Sequence, residues 1–152
     1  MAKIMVSGYF DCMHSGHIRF FQEASHFGDL IVSIGCDERL RKVKGKEPMC
    51  KELERLYMVQ SCKYVDHAFI IKETDAEGGA VWEVYLKKYK PDYFIANDDT
   101  PENWQKRQKE VCERNGVKYL VLKRTPPLGI LERSSTQLRD LKENGNKKQF
   151  TL

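Results

Sequence analysis

The chain of 152 residues carries 26 lysine and arginine residues against 22 aspartate and glutamate residues, which gives a formal net charge of +4. Hydrophobic residues make up 41% of the sequence and charged residues 32%, a balance typical of one globular domain with its own core. No apolar run approaches the roughly 20 residues of a membrane-spanning helix, and the mild positive charge suits anionic small molecules without indicating a nucleic-acid-binding surface.

Apolar runs and helical periodicities alternate along the chain, which predicts strands and helices in alternation. The predicted strands are residues 3–7, 30–35, 65–71, 92–96 and 117–122. The predicted helices are residues 16–27, 37–42, 51–62, 80–89, 101–115 and 134–143, the fifth with Thr100 as its cap and Pro101 at its first position. Residues 43–49, 72–79 and 125–131 are expected to be loops.

This alternation predicts a parallel sheet with right-handed crossovers. We expect one domain over residues 1–143 and a polar tail over residues 144–152, because no repeat or linker divides the chain. In the helix predicted over residues 51–62, the expected inner face is formed by Leu53, Leu56, Tyr57 and Val59.

The cysteines and the first residues of the chain indicate the cellular compartment. The number of cysteines is five, and no C-x-x-C pair occurs among them. Scattered cysteines in odd number favour free thiols in a reducing compartment. The first residues lack the layout of a signal peptide and lead directly into an apolar run. We therefore expect a cytoplasmic protein.

The stretch from Gly8 to His17 joins the first predicted strand to the first predicted helix. Ligands of open α/β sheets bind at such carboxyl ends of strands. Gly8 and Gly16 are expected to let the backbone approach a ligand, and Ser15 to cap the helix. His14 and His17 would stand at the positive end of the helix dipole, where phosphate groups bind.

This stretch resembles the H-x-G-H signature of the cytidylyltransferase-like nucleotidyltransferases. The signature stands here as His14-Ser15-Gly16-His17, with Phe10-Asp11 ahead of it. The resemblance covers most of the chain and implies a Rossmann-like, five-stranded parallel α/β fold with helices on both faces. It also implies that His14 and His17 contact a triphosphate and stabilise the transition state, that Gly8, Tyr9 and Phe10 bind the nucleotide, and that Asp11 binds the acceptor.

Two further segments match the family at positions that touch the substrates. Lys44 and Lys46 flank Gly45 in a predicted loop, and the resemblance implies that these lysines bind the phosphates of both substrates as part of the catalytic set. It also implies that Arg55 approaches the acceptor. A solvated basic loop and a surface salt bridge are the alternative interpretations.

The fourth predicted strand ends in Asn97-Asp98-Asp99, where relatives carry Gly-Asp-Asp or Gly-Glu-Asp. The carboxylates of Asp98 and Asp99 could bind acceptor hydroxyls or help to hold Mg²⁺, which prefers oxygen ligands. They could also complement the N-terminus of the next helix. We assign both residues to the acceptor site and assign no protein metal ligand, so that Mg²⁺ is expected to be carried by the triphosphate.

The last family signature is Arg133-Ser134-Ser135-Thr136-Gln137-Leu138-Arg139, similar to I-S-[ST]-[ST]-x-[IL]-[KR]. Hydroxyl groups and free N–H groups at a helix start form a phosphate-binding site. The resemblance implies that Ser134, Ser135 and Thr136 bind the β- and γ-phosphates and that Arg139 reaches the same anion. Arg124, in a preceding loop that is longer than the family pattern, is assigned to nucleotide binding.

The sequence therefore predicts a nucleotidyltransferase that moves a nucleoside monophosphate from a nucleoside triphosphate to a small phosphorylated acceptor and releases pyrophosphate. We favour CTP, because the chain is short like the polyol-phosphate cytidylyltransferases. Adenylyltransferases of the ADP-heptose or FAD-synthase type share these motifs and are the alternative. A homodimer is what the resemblance implies.

Other classes of site are weaker interpretations of the same residues. Cys12, His14 and His17 could hold a metal, but no second cluster accompanies them. The chain lacks G-x-x-x-x-G-K-[ST], and its first turn lacks G-x-G-x-x-G. A nucleotide-binding module without turnover is the rival from another class.

Overall fold

The computed structural model describes residues 1–74 and 81–145, with side chains as far as residue 141. Its strands are β1 (Lys3–Gly8), β2 (Asp29–Gly35), β3 (His67–Ile71), β4 (Tyr93–Asn97) and β5 (Lys118–Leu122). Its helices are α1 (Ser15–Ser25), α2 (Asp37–Lys44), α3 (Glu52–Gln60), α4 (Trp82–Tyr89), α5 (Glu102–Arg114) and α6 (Ser135–Gly145).

The five strands form one sheet in the order β3-β2-β1-β4-β5, and every neighbouring pair is parallel. This confirms the predicted Rossmann-like α/β fold. The strand order reverses between β1 and β4, so the carboxyl ends of these two strands open the crevice in which such sheets bind ligands.

The central strands are continuous apolar runs because the sheet is covered on both faces. Ile4 and Val6 belong to one buried cluster, with Phe21 of α1 and Val59 of α3. Met5, which points to the other face as strand geometry requires, belongs to a second cluster with residues of α4 and α5. The two packed faces hold the carboxyl edge of the sheet rigid beneath the site.

The inner face of α3 differs from the prediction. Val59 is buried, but Leu53 and Tyr57 expose 71% and 72% of their surface. The helix instead buries Arg55 completely. The reason is chemical, because the Arg55 guanidinium donates hydrogen bonds to backbone carbonyls of neighbouring segments that no apolar side chain could satisfy.

Two helix boundaries correct the sequence interpretation. Helix α2 continues through Lys44 and ends at Gly45, whose φ of 64° suits glycine, so Lys44 is helical and not in a loop. Helix α5 is capped by Pro101 and not by Thr100. Most other ends shift by one or two residues, the spread usual for helix and strand termini.

Parts of three predictions lie outside the described residues. These are the end of the loop at residues 72–79, the first residue of the helix at 80–89, and the tail from residue 146 onward. The division into a domain and a tail therefore stays a prediction. Within residues 1–74 and 81–145, no helix has the length and apolar character needed to cross a membrane.

Candidate active site

The two histidines of the β1–α1 turn hold each other in place through the backbone. His14, and not Ser15, is the N-cap of α1: its Nδ1 accepts a hydrogen bond from the Gly16 N–H at 3.1 Å. The His17 Nδ1 accepts in return from the His14 N–H at 3.3 Å. Because both Nδ1 atoms are acceptors, each neutral ring carries its proton on Nε2.

Both histidines are held neutral at ordinary pH. Burial lowers the pKa of His17 to about 3, with further contributions from His14 and the Arg124 guanidinium. Burial also lowers the pKa of His14, again assisted by Arg124. The two rings stack with their centroids 4.0 Å apart. The pair therefore offers Nε2–H donors and not imidazolium charges.

The glycines of the motif make room for aromatic side chains, and their expected approach to a ligand stays a prediction. A Cβ at Gly16 would lie 2.9 Å from Cε1 of the His14 ring. A Cβ at Gly8 would lie 2.8 Å from the tip of the Phe10 ring. Phe10 has a φ of 51° and packs edge-on against His17 at 5.4 Å. The strained turn, a conformation that costs on the order of 1–3 kcal/mol, thus positions His17.

Asp11 connects the β1–α1 turn with two other segments. Its carboxylate accepts hydrogen bonds from the N–H groups of Met49 at 3.0 Å and Cys50 at 2.9 Å. The same carboxylate forms an ion pair with Arg139 of α6. Asp11 is only 4% exposed. Its carboxylate therefore holds the turn to both segments, and its contact with the acceptor stays a prediction.

The N-terminus of α6 lies against the same turn. Ser135 Oγ donates to the Asp11 carbonyl at 2.9 Å. Ser134 Oγ accepts from the Gln137 N–H and caps the helix, and its predicted contact with the phosphates stays a prediction. Ser135, Thr136 and Arg139 of this end line the cavity that His17, in the first turn of α1, also lines. The two positive helix ends predicted from the sequence are therefore brought together.

The ends of β4 and β5 are joined by Arg124. Its N–H donates to Asp98 Oδ1 at 3.0 Å, and its guanidinium pairs with Asp99 at 3.1 Å. Arg124 also acts electrostatically on both histidines. Both carboxylates thus have Arg124 as a partner, and their assignment to the acceptor site stays a prediction. The described part of the chain holds no group of three or more metal-ligating side chains, which leaves the Cys12-His14-His17 interpretation unsupported.

Arg55 lies beneath the site and does not face it. Its Nη1 donates to the Tyr9 carbonyl at 2.7 Å and to the Gly35 carbonyl at 2.8 Å, and its Nη2 pairs with Asp37 at 2.8 Å. With the further bond from Nε to the Cys50 carbonyl, all three guanidinium nitrogens have a partner. The predicted contact with the acceptor is thus corrected to a role in positioning Tyr9.

The α2 side of the cavity contains residues that sequence reasoning did not select. Arg39 lies over the rings of Tyr9, at 5.2 Å, and Trp82, at 5.4 Å. Lys44 approaches the Tyr9 ring from the end of α2, at 5.9 Å. Trp82 meets Trp104 edge-on at 5.8 Å. Aromatic rings at helical spacing indicate packing, so no sequence signal identifies them as residues that line a cavity.

One cavity of about 490 Å³ collects most of the predicted site residues. Those that line it are Gly8, Tyr9, Phe10, Asp11, His17, Lys44, Lys46, Asp99, Ser135, Thr136 and Arg139. Those that do not line it are His14, Arg55, Asp98, Arg124 and Ser134. A second, shallower depression of about 570 Å³ between α1 and α3 is mainly apolar and contains none of the predicted site residues.

The amino-acid sequence matches the model of the cytidylyltransferase-like family over residues 5–141. It is 30% identical over 135 residues to the FAD synthase of Thermococcus kodakarensis, covering 88% of this chain and 86% of that protein. Identity to the FAD synthase of Pyrococcus abyssi is 33% over 135 residues, with the same coverage of 88% and 86%.

Solved structures agree with this fold. The lipopolysaccharide core biosynthesis protein from Thermoplasma volcanium superposes with a TM-score of 0.67 at 26% identity, covering 83% of this chain and 98% of that one. A putative nicotinate-nucleotide adenylyltransferase from Vibrio parahaemolyticus gives a TM-score of 0.55 at 18% identity, over 95% of this chain and 83% of that one. At that identity the likeness concerns the fold alone.

Proposed function

Because this chain belongs to the cytidylyltransferase-like family and is a nucleotidyltransferase, we propose that it transfers AMP from ATP to a small phosphorylated acceptor. The observation that carries the proposal is the cavity at which the N-termini of α1 and α6 meet. Two helix ends that face one cavity bind an extended polyanion such as a triphosphate. Lys44, Lys46 and Arg139 line the same cavity and add positive charge.

The reaction needs no covalent enzyme intermediate. An oxygen of the acceptor phosphate forms a bond to the α-phosphorus of ATP, and the bond from that phosphorus to the bridging oxygen breaks. The electron pair of the broken bond leaves with pyrophosphate. Catalysis of this kind consists of positioning and charge stabilisation.

His17 is the residue we assign to the transition state. Its ring lines the cavity, and its Nδ1 is held by the backbone of His14. The proton on Nε2 is therefore available to a phosphate oxygen without any prior change in protonation. His14 stacks behind it and keeps the ring in place. We propose that His14 acts mainly through this support.

The choice of ATP departs from the preference for CTP that the sequence suggested. The curated relatives of similar length are FAD synthases. FAD consists of flavin mononucleotide joined to AMP, so a chain of this type would use ATP with flavin mononucleotide as the phosphate acceptor. A sugar phosphate is the second acceptor to test, because the structural relative with a TM-score of 0.67 is a lipopolysaccharide core biosynthesis protein.

Magnesium is proposed as a companion of the nucleotide. Mg²⁺ keeps several waters and binds through phosphate oxygens with one or two carboxylates. Within the described residues, Asp11 and Asp99 are the carboxylates that line the cavity, and both are engaged with arginines. The residues therefore fit a metal that is held by the triphosphate, where it would neutralise charge on the leaving pyrophosphate.

The experiment is a pyrophosphate-release assay with ATP and CTP against flavin mononucleotide, a heptose phosphate and glycerol 3-phosphate. We expect turnover with ATP and one of these acceptors. Turnover with CTP alone would identify the protein as a cytidylyltransferase and contradict the choice of ATP. Tight nucleotide binding without turnover on any acceptor would favour a binding module. The homodimer stays a prediction, which light scattering coupled to gel filtration would test.

A further inference from the structure

Arg39, in the first turn of α2, is a buried cation with no anionic partner in the part of the chain that the structure describes. It is 4% exposed, yet the described residues place no carboxylate within ion-pair distance of it. Its Nε is buried and has no hydrogen-bond partner. Arginine remains charged in proteins, and a buried charge is costly unless it is paired.

The position of Arg39 is nevertheless fixed. Its guanidinium lies over the faces of Tyr9 and Trp82, at 5.2 Å and 5.4 Å from the ring centroids. Gly35 leaves the room for this arrangement, since a Cβ there would lie 2.9 Å from Arg39 Nη1. Aromatic faces attract a cation but accept few of its N–H hydrogen bonds. The guanidinium is therefore held in place while its edge stays open.

That edge borders the cavity of the proposed active site. Arg39, Lys44 and Lys46 all line it. The carboxylates among the described lining residues are already paired, Asp11 with Arg139 and Asp99 with Arg124. The hydroxyl of Tyr9, which also lines the cavity, is buried without a partner. The α2 side of the cavity thus carries unmatched positive charge and an unmatched hydroxyl.

We propose that Arg39, held between Tyr9 and Trp82, binds the phosphate group of the acceptor. The inference rests on the proposed function for the identity of that phosphate, and it adds a specificity-determining residue on the α2 side. A guanidinium edge and a phenol hydroxyl both donate to phosphate oxygens, and arginine does so in bidentate geometry. A phosphomonoester would supply the missing counter-ion.

The test measures how far inorganic phosphate raises the melting temperature while α,β-methylene-ATP saturates the nucleotide site. The parent chain should show an upward shift, and Arg39→Met should lose it. Arg39→Lys should keep part of it, because the charge is retained. Lys42→Met is the matched control, since Lys42 lies on the same helix, pairs with Glu38 at the surface and should leave the shift intact.

Steady-state kinetics supply the second readout. Arg39→Met should raise the KM for the phosphorylated acceptor roughly 10- to 100-fold, as expected for the loss of a charge-assisted hydrogen bond. The KM for ATP should stay close to that of the parent. Without ligand, the melting temperature of Arg39→Met should change little, because the loss of the contacts with Tyr9 and Trp82 is offset by the removal of a buried charge that has no anionic partner among the described residues.

The two proposals fail in different ways. Equal phosphate shifts in the parent and Arg39→Met, or no phosphate shift in the parent, would overturn the role of Arg39. A fall in the ligand-free melting temperature with an unchanged KM for the acceptor would also overturn it and mark Arg39 as structural. A phosphate shift that depends on Arg39, without pyrophosphate release on any acceptor, would count against the proposed function only.

Discussion

Arg55 and Arg39 are both buried arginines near the carboxyl end of β2, and their surroundings differ in kind. Arg55 donates to three backbone carbonyls and pairs with Asp37. Arg39 meets two aromatic faces, and its Nε has no hydrogen-bond partner. The first arginine is satisfied by contacts within the fold, whereas the second has no anionic partner among the described residues. Unsatisfied polar atoms beside a cavity thus separate binding residues from structural ones.

The largest effect is expected from Arg55→Met. The change leaves the Asp37 carboxylate and the carbonyls of Tyr9 and Gly35 without their donor. Removing one partner of a buried ion pair costs about 3–5 kcal/mol of stability, which urea denaturation would measure. Arg114→Met, which breaks an exposed pair with Glu83, is the control and should be almost neutral. A small loss in Arg55→Met would remove the contrast between the two arginines.

His17→Ala should have the next largest effect. It sharpens the comparison because His17 has a structural hydrogen bond, as Arg55 does, and also lines the cavity, as Arg39 does. Its Nδ1 accepts that bond from the His14 N–H. Loss of a preorganised donor should lower kcat about 10²- to 10³-fold. Loss of the capping interaction should cost about 1 kcal/mol of stability.

Steady-state pyrophosphate release and urea denaturation would measure the two effects of His17→Ala separately. His67→Ala is the matched control, because His67 is exposed, does not line the cavity, and contacts Tyr89 and Phe69. A His17→Ala variant that keeps the parent kcat would show that the histidine serves the fold alone.

The strands and the H-x-G-H turn could be predicted from the sequence, whereas the two buried arginines could not. Strands β1 and β2 could be located because burial on both faces leaves uninterrupted apolar runs. The H-x-G-H turn could be located because its contacts are local: the cap joins His14, Gly16 and His17 within one turn of helix.

Arg55 could not be identified as a buried residue in this way. Its partners come from the β1–α1 turn, the end of β2 and the loop before α3, which meet only in the folded chain. A helical pattern places an arginine at the surface by default, so Leu53 and Tyr57 were preferred for the interior. Arg39 could not be identified as a buried residue for the same reason, and its aromatic partner Trp82 is more than forty positions away in the sequence.

Gly16→Ala should have a smaller effect and tests whether the cap positions the ring. The new methyl group would meet the His14 ring at 2.9 Å and displace it. Alanine favours the helix by about 0.5–1 kcal/mol over glycine, which offsets the loss of the cap, so stability should change little. We expect kcat to fall about tenfold as the support of His17 weakens.

Gly116→Ala is the control for Gly16→Ala, because it should lower stability and leave kcat unchanged. Gly116 has a φ of 70° and open space around it. Alanine there should lower the melting temperature through backbone strain and leave kcat unchanged. If Gly16→Ala behaved in the same way, the glycine of the motif would serve the backbone and not the histidine ring.

The smallest effect concerns acid sensitivity, which tests whether the folded chain keeps His17 neutral. Burial lowers the pKa of His17 to about 3 in the folded chain, against about 6.5 in the unfolded chain. Above about pH 6.5 both states are neutral and the full stability is present. As the pH falls below that value, His17 binds a proton in the unfolded chain but stays neutral in the folded chain. The free energy of unfolding should then fall by no more than about 1.4 kcal/mol per pH unit.

Urea denaturation at about pH 7 and about pH 5.5 would measure this acid sensitivity in the parent and in His17→Gln. Glutamine cannot titrate, so the variant should lose less stability over that interval. Part of the sensitivity should remain in the variant, because burial lowers the pKa of His14 as well. Equal losses in both chains would mean that His17 is already open to water and protons on its cavity side, and that its Nδ1 bond alone does not keep the ring neutral.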